Sequence, residues 1–315
     1  MRIRALSLAV VGLVALSAGA GGVPSDELSL LSGDFNLAPE RSAEPQVFAM
    51  KSELITYAPD GKRVSKDVFR VWIRAVPAGV PDKWAGEYTC LRFTVEFDGK
   101  PETALPALEN WTYTFDPRGI DERGQVFGID HAKFEGLVDA SGNALPVDKQ
   151  YHVYNAFIDF HGFCDVFAQP APGGSGIQDL RRIGDVIVHE AAFSEAPTNL
   201  GAGISEGSSF TNGEIKLEFK GLSEVNGAAC GLVGYDSGES SFKMIVNPMP
   251  DMTVVTVGSS HYWGDIYKNL ASGWVEKAEM TEMVVSETAL PMPPGKLNGV
   301  IERHVTIRNV THAEE

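Results

Sequence analysis

The densest cluster of side chains able to do chemistry is Ser259-Ser260-His261-Tyr262-Trp263-Gly264-Asp265, followed by Tyr267 and Trp274. Rings with a flat apolar body and a polar tip suit sugars and amphiphiles, because one face takes the hydrocarbon while the tip fixes orientation. On that ground His261, Tyr262, Trp263, Tyr267 and Trp274 are the expected ligand-binding residues. The competing expectation is that these rings pair across strands or wall a core. His261 with Asp265 has the composition of an acid-base pair, but no nucleophile accompanies it.

The sequence offers two serine motifs. Gly203-Ile204-Ser205-Glu206-Gly207 matches G-x-S-x-G, a pattern that needs a buried strand before the serine and a helix after it. Here Pro197, Thr198, Asn199 and Gly201 precede it and Ser208-Ser209 follow, so a Gly-Ser loop is expected. Asp236-Ser237-Gly238 lacks a histidine-aspartate context and reads as a hairpin turn ahead of Phe242. Metal ligation finds no convergent set either: His189-Glu190 lacks the second histidine of H-E-x-x-H, and His131 is unaccompanied. His152 and His161 fall on different sides of an expected helix. The acidic stretches Asp116 to Gly124 and Asp139 to Asn143 lack alternating calcium ligands. No glycine-rich phosphate loop is present. No catalytic, cofactor-binding or metal-ligating residue is therefore assigned, and no cofactor is expected.

Residues 1–20 carry Arg2 and Arg4, an apolar run from Ala5 to Leu16, and Ala18-Gly19-Ala20, the three-part build of a secretory signal. No later apolar run reaches membrane-span length, so a periplasmic or extracellular product with no integral membrane segment is expected. The net charge of −16 becomes about −18 without those residues, which disfavours nucleic acid as a partner. Three cysteines, Cys90, Cys164 and Cys230, permit one bridge; Cys164 falls on an apolar helix face, which leaves Cys90 to Cys230 as the pairing to test.

The elements that must position these residues follow from periodicity. Residues 21–45, rich in Gly, Ser, Pro and acid, read as a flexible lead-in. Period-two alternation then dominates. Phe69, Val71, Ile73 and Ala75 share one face against Arg70 and Arg74; Leu91, Phe93, Val95 and Phe97 run into the turn dipeptide Asp98-Gly99; Trp111, Tyr113 and Phe115 repeat the pattern. From Tyr151 to Phe167 the period changes: Val153, Phe157, Phe160, Cys164 and Phe167 fall on one helical face and His152, Asn155 and Asp159 on the other. Asp148 is the expected N-cap. A Pro/Gly segment at 169–178 separates this half (46–168) from a second β-rich half at 179–310, where Ile215, Leu217 and Phe219 alternate with charges. Residues 261–290 read as a long hairpin about Ala271-Ser272-Gly273, with a short helix over Glu276 to Met283 as the alternative.

The expected fold is β-rich α+β: curved antiparallel sheet, as a sandwich or open half-barrel, with one long amphipathic helix near 149–168 packed on it. This pattern resembles periplasmic half-barrel proteins in which a curved antiparallel sheet wraps a helix and holds an acyl chain. The resemblance is one of architecture and carries no residue over. The excess of aromatic residues on the expected inner faces, together with the failure of every catalytic motif, points instead to a non-catalytic exported binding protein for a lipid, sugar or other amphiphilic small molecule, held between sheet and helix. The alternatives are a structural or adhesive protein meeting an envelope partner, and a secreted hydrolase using His261 or Ser205.

Overall fold

The computed structural model describes residues 33–77, 86–116, 129–171, 173–189, 205–249, 252–291 and 294–311. Residues 1–20, expected from sequence to be an export signal, and the first part of the lead-in lie outside them, as does Asp116 to Gly124 beyond its first residue. All strands join one antiparallel sheet. They are β1 (Gln46–Tyr57), β2 (Arg63–Pro77), β3 (Gly86–Phe97), β4 (Thr103–Ala104), β5 (Trp111–Phe115), β6 (Val186–Val188), β7 (Ser209–Thr211), β8 (Lys216–Val225), β9 (Ala228–Asp236), β10 (Ser240–Met249), β11 (Met252–Asn269), β12 (Val275–Pro291) and β13 (Pro294–Asn309). The order across the sheet is β4-β3-β2-β1-β13-β12-β11-β9-β8-β6, with β5 beside β3, β10 beside β11 and β7 beside β10. The two halves expected from sequence thus meet at the β1–β13 seam, where Phe48↔Asn309 to Tyr57↔Val300 pair, and Asp34–Glu315 forms one compact unit.

Alternation decides the faces. Phe48, Met50 and Leu54 of β1, Phe69, Val71 and Ile73 of β2, and Leu217 and Phe219 of β8 are all at most 4% exposed and point to the inner face. At Leu91 the alternation slips. Trp72 pairs with Arg92 and Ile73 with Cys90, so Leu91 is the extra residue of a bulge; Tyr88 and Cys90 take the inner positions before it, and Phe93 and Val95 those after it. The Asp98-Gly99 turn has both residues at positive φ (44° and 74°), the geometry that matches strand twist.

The helix α1 (Val147–His161) lies on the inner face and continues as a π-turn over Gly162–Val166. Its apolar stripe is fully used: Val153, Phe157 and Phe160 are 0% exposed and Cys164 1%. Phe157 stacks on Phe93 at 5.8 Å, and Phe160 meets Phe48 edge-on at 5.4 Å. Asp148 does not cap the helix; Pro146 holds the N-cap position and Asp148 sits in the first turn, where its charge still meets the helix dipole.

The long hairpin expected over residues 261–290 is present, and Glu276 to Met283 is strand rather than the alternative helix, since β12 pairs with β11 from Val255↔Ala289 to Lys268↔Val275. Two further sequence expectations are corrected. Cys90 and Cys230 are free and buried, held apart on β3 and β9 with five strands of the sheet between them. Within the expected lead-in, Asp34 to Pro45 lies against the core: Leu37 is 1% exposed, Phe35 meets Phe219 at 5.5 Å, and the Trp274 indole N–H donates to the Ser42 carbonyl at 3.2 Å.

Candidate functional site

Asp236-Ser237-Gly238 is not a hairpin turn. β9 and β10 both run antiparallel to β11, one after the other: Asp236 pairs with Trp263 and Ser240 with Ser260. Three residues of the edge face two of β11, so the segment is a bulge in one continuous edge. The Tyr262 backbone stitches it, its N–H donating to Ser237 Oγ at 3.0 Å and its carbonyl accepting from the Ser237 N–H at 2.8 Å. The neighbouring edge breaks at the same level between β7 and β8. Gly213 fits there only because it lacks a side chain: a Cβ would lie 2.6 Å from the Glu239 carbonyl oxygen. A Cβ on Gly264 would collide with the Glu279 carbonyl. Gly264→Ala is accordingly expected to cost about 3 kcal/mol or more, read by denaturant unfolding; an unchanged midpoint would contradict this packing.

This bend separates the five ligand-binding residues expected from sequence. His261, Trp263 and Tyr267 share the outer face, where the His261 and Trp263 rings are 5.3 Å apart. The partner of His261 is Asp236, 3.0 Å from Nε2, rather than the expected Asp265, which is bonded to Lys220 at 2.6 Å. Tyr267 lies under Lys277, whose ammonium is 5.0 Å from the ring centroid. Tyr262 points inward, stacked on Tyr235 at 5.6 Å with its hydroxyl on Asn212. Trp274 is 1% exposed, beneath the Arg41 guanidinium and beside Phe48. Two of the five are thus exposed neighbours, and two serve the interior.

The outer-face cleft beside Trp263 has a volume of about 460 Å³. Two rows of paired residues cross it: Lys216, Asp236 and Trp263, then Val186, Glu218, Gly234 and Asp265. Trp263 and Val186 are 41% and 56% exposed.

Sequence reasoning missed a buried polar network behind α1. Asp165 accepts from Arg41 and from the Tyr88 hydroxyl, each at 2.7 Å, from Gln169 at 3.1 Å, and bonds His161 Nδ1 at 2.7 Å. Arg41 also donates to the Cys164 carbonyl. Burial works against the Asp165 charge, but Arg41 foremost, then His161, hold its carboxyl down at about 2. An ionised Asp165 requires the proton on His161 Nδ1, so Nε2 accepts from the Tyr113 hydroxyl 2.8 Å away. Burial lowers the imidazole's own pKa and keeps it neutral. Hydroxyl, imidazole and carboxylate in series are the arrangement of nucleophilic catalysis. Here the hydroxyl is a phenol 9% exposed, Trp111 and Tyr88 stack on its ring at 4.5 and 5.8 Å, and Phe115 stacks on the imidazole at 3.9 Å. Those rings occupy the space a substrate would need, so the network ties the N-terminal segment, β3, β5 and α1 together. Nearby, burial holds the Lys268 ammonium well below its usual pKa; Nζ donates to the carbonyls of Ala168 (2.6 Å) and Gly273.

Ser205 has no catalytic partner among the described residues. Its Oγ accepts from Asn247 at 2.7 Å, and its backbone N–H bonds Ile245 on the edge of β10. Gly203 and Ile204 lie outside the described residues. Asp139 uses its carboxylate to close a turn, accepting from the N–H groups of Ser141 (2.8 Å) and Asn143 (2.9 Å). Among the described residues no group of three or more His, Cys, Asp or Glu converges on a metal position.

No family model and no curated protein matches this chain. Its chemistry has to be read from geometry, and the inner face beyond the helix is the most distinctive surface. The apolar core reaches Tyr262 on β11 and Ile301 on β13, which pack against its rim. Past that line β10–β13 carry on. The inner rows read Phe210, Phe242, Gly258, Ser286, Gly299, then Met244, Thr256, Thr288, Leu297. Small residues on β11 and β12 make a floor; the Phe242 ring lies over it at Gly258, where a Cβ would come within 2.5 Å of the ring, while Met244 and Val246 wall one side and Leu290 and Leu297 the other. None of these walls belongs to the core, and Leu297 is 57% exposed. At the head of the floor, Ser260 is 4% exposed and its Oγ has no hydrogen-bond partner among the described residues. Beside it Arg303 is pinned by Glu282 at 2.6 Å and by Asp159.

Proposed function

We propose that this protein is an exported binding protein for an amphiphile, which lies along the inner face of β10–β13 past the end of the helix-covered core. The observation that carries this reading is the profile of those rows: a floor of Gly, Ser and Thr between apolar walls that contribute nothing to the core. A soluble monomer rarely leaves such a surface in water without a use for it. The gap between α1 and the sheet does not support a ligand there, because Phe48, Phe93, Phe157 and Phe160, none more than 1% exposed, fill it. From Ser260 to Val254 the floor runs about 20 Å, the length of one extended acyl chain, which spans about half of a 30 Å hydrocarbon core and would run beside the Phe242 ring that lies over Gly258. The orphaned Ser260 hydroxyl at the closed end supplies a hydrogen bond for a polar head.

The test is native mass spectrometry of exported protein with organic extraction of its cargo, followed by titration with a fluorescent single-chain fatty acid. Saturable binding weakened about tenfold or more by Met244→Asp and by Leu297→Asp, on opposite walls, supports the reading. A bare monomer that ignores the probe overturns it.

A second reading has its own observation. The outer side of the same strands also exposes apolar residues, Val257 at 45% and Val285 at 55%, and Pro294 to Gly299 run past the end of β1 with one edge unpaired by it. Such an edge suits a protein partner; a bare, stable oligomer in the same spectrum would favour it.

A further inference from the structure

The outer-face cleft at Trp263 lies across the sheet from the proposed amphiphile site and is lined by different residues. Its floor is backbone and methylene: the stem of Lys220 crosses Gly234, where a Cβ would collide with it, and Nζ reaches Asp265 at 2.6 Å. One end is the exposed Trp263 indole, the other Val186 on the edge strand β6. Between them stand Glu214, Glu218, Asp236 and Asp265 with Lys216 and Lys220. Carboxylates outnumber ammonium groups, which disfavours an anion. An acyl chain finds no continuous apolar path, since every apolar position alternates with a charge.

We infer that this cleft binds a neutral oligosaccharide. A pyranose presents an apolar C–H face, which the Trp263 ring matches, and equatorial hydroxyls around its rim, which act as donor and acceptor at once. Asp236, Asp265 and Glu218 accept from those hydroxyls, and Lys216 and Lys220 donate to them; no ion need be desolvated in the ligand. The two rows of paired residues, about 14 Å from β6 to β11 at ordinary strand spacing, accommodate more than one sugar ring. Arrangement on strands rather than loops fixes the indole: His261 flanks it at 5.3 Å and is itself held by Asp236.

The experiment is a titration of the mature chain, followed by the Trp263 indole N–H in ¹H–¹⁵N spectra, with maltohexaose, cellohexaose, xylohexaose and N-acetylchitohexaose as separate probes. A saturable shift of that signal with at least one probe is expected, together with calorimetric binding weakened about tenfold or more by Trp263→Ala. Both Trp263→Ala and Asp236→Asn alter exposed side chains, so unfolding curves like those of the parent are expected, and Asp236→Asn is expected to weaken binding less than Trp263→Ala. No shift with any probe at millimolar concentration overturns the inference. So does binding that Trp263→Ala leaves unchanged. Fatty-acid binding at the inner face is scored in the same samples and is independent of either result.

Discussion

Replacing Asp165 with alanine is expected to lower folding stability by about 3–5 kcal/mol, the cost of leaving a buried charge without its partner. The reason lies in what Asp165 holds. Arg41, whose side chain is 9% exposed, would keep its charge over the Trp274 ring with the Cys164 carbonyl as its remaining acceptor. The hydroxyl of Tyr88 and the Nδ1–H of His161 would lose their acceptor in a buried site. For a chain of this size the melting temperature should fall by roughly 10 °C. Arg41→Met is the reciprocal test: it strands the carboxylate instead, so it should also destabilise, and the double variant should recover part of the sum. Equal melting curves for Asp165→Ala and the parent would show that the network does not hold the N-terminal segment on the core.

His189 should make the protein acid-labile in a defined window. It is 2% exposed, packed on Phe167 at 5.1 Å, and burial pushes its pKa down to about 4 from the usual 6.5, against the hydrogen bond that its imidazole donates to the Val166 backbone. The folded state holds it neutral while the unfolded chain protonates it. The unfolded state therefore binds more protons between those values, and the contribution of His189 is complete above pH 6.5 and lost as pH falls to about 4. At 1.36 kcal/mol per unit, the loss is about 3 kcal/mol. His152, pushed down to about 3 by burial, adds in the same direction, though its partial exposure reduces the effect. Asp159 acts oppositely: burial lifts it to about 6 despite Arg303, so acidification favours its folded form. The clean readout is the stability difference between the parent and His189→Phe against pH. That difference should shrink by about 3 kcal/mol from pH 7 to pH 4; parallel curves would mean that His189 is not held neutral.

Periodicity carried most of the architecture. A two-residue repeat can bury one face only as a half-covered strand, and the change to helical spacing at Tyr151 to Phe167 can bury its aromatics only as a helix. Both readings hold: Phe69, Val71 and Ile73 on the sheet, and Val153, Phe157 and Phe160 on α1, are the residues that meet. What failed did so where one residue resets the alternation. The bulge at Leu91 and the bulge after Asp236 are each a single extra residue, invisible to a pattern that counts along one strand, because a bulge is defined by its partner. The Asn226-Gly227 turn between β8 and β9, with φ of 52° and 77°, is by contrast a dipeptide whose geometry is legible from sequence.

The site residues divide along the same line. Local spacing alone places His261, Trp263 and their neighbours on one aromatic strand and gives the helix its single apolar stripe. Strand pairing and packing are what set His261 against Asp236, turn Trp263 to water while Trp274 roofs the core, and bring Arg41 to Asp165 across 124 positions of chain. They also set where α1 stops covering the sheet, leaving the walls at Met244 and Leu297 outside the core. Those facts depend on which strands become neighbours, and strand pairing is settled by the burial of a whole face at once. No local spacing along the chain encodes it.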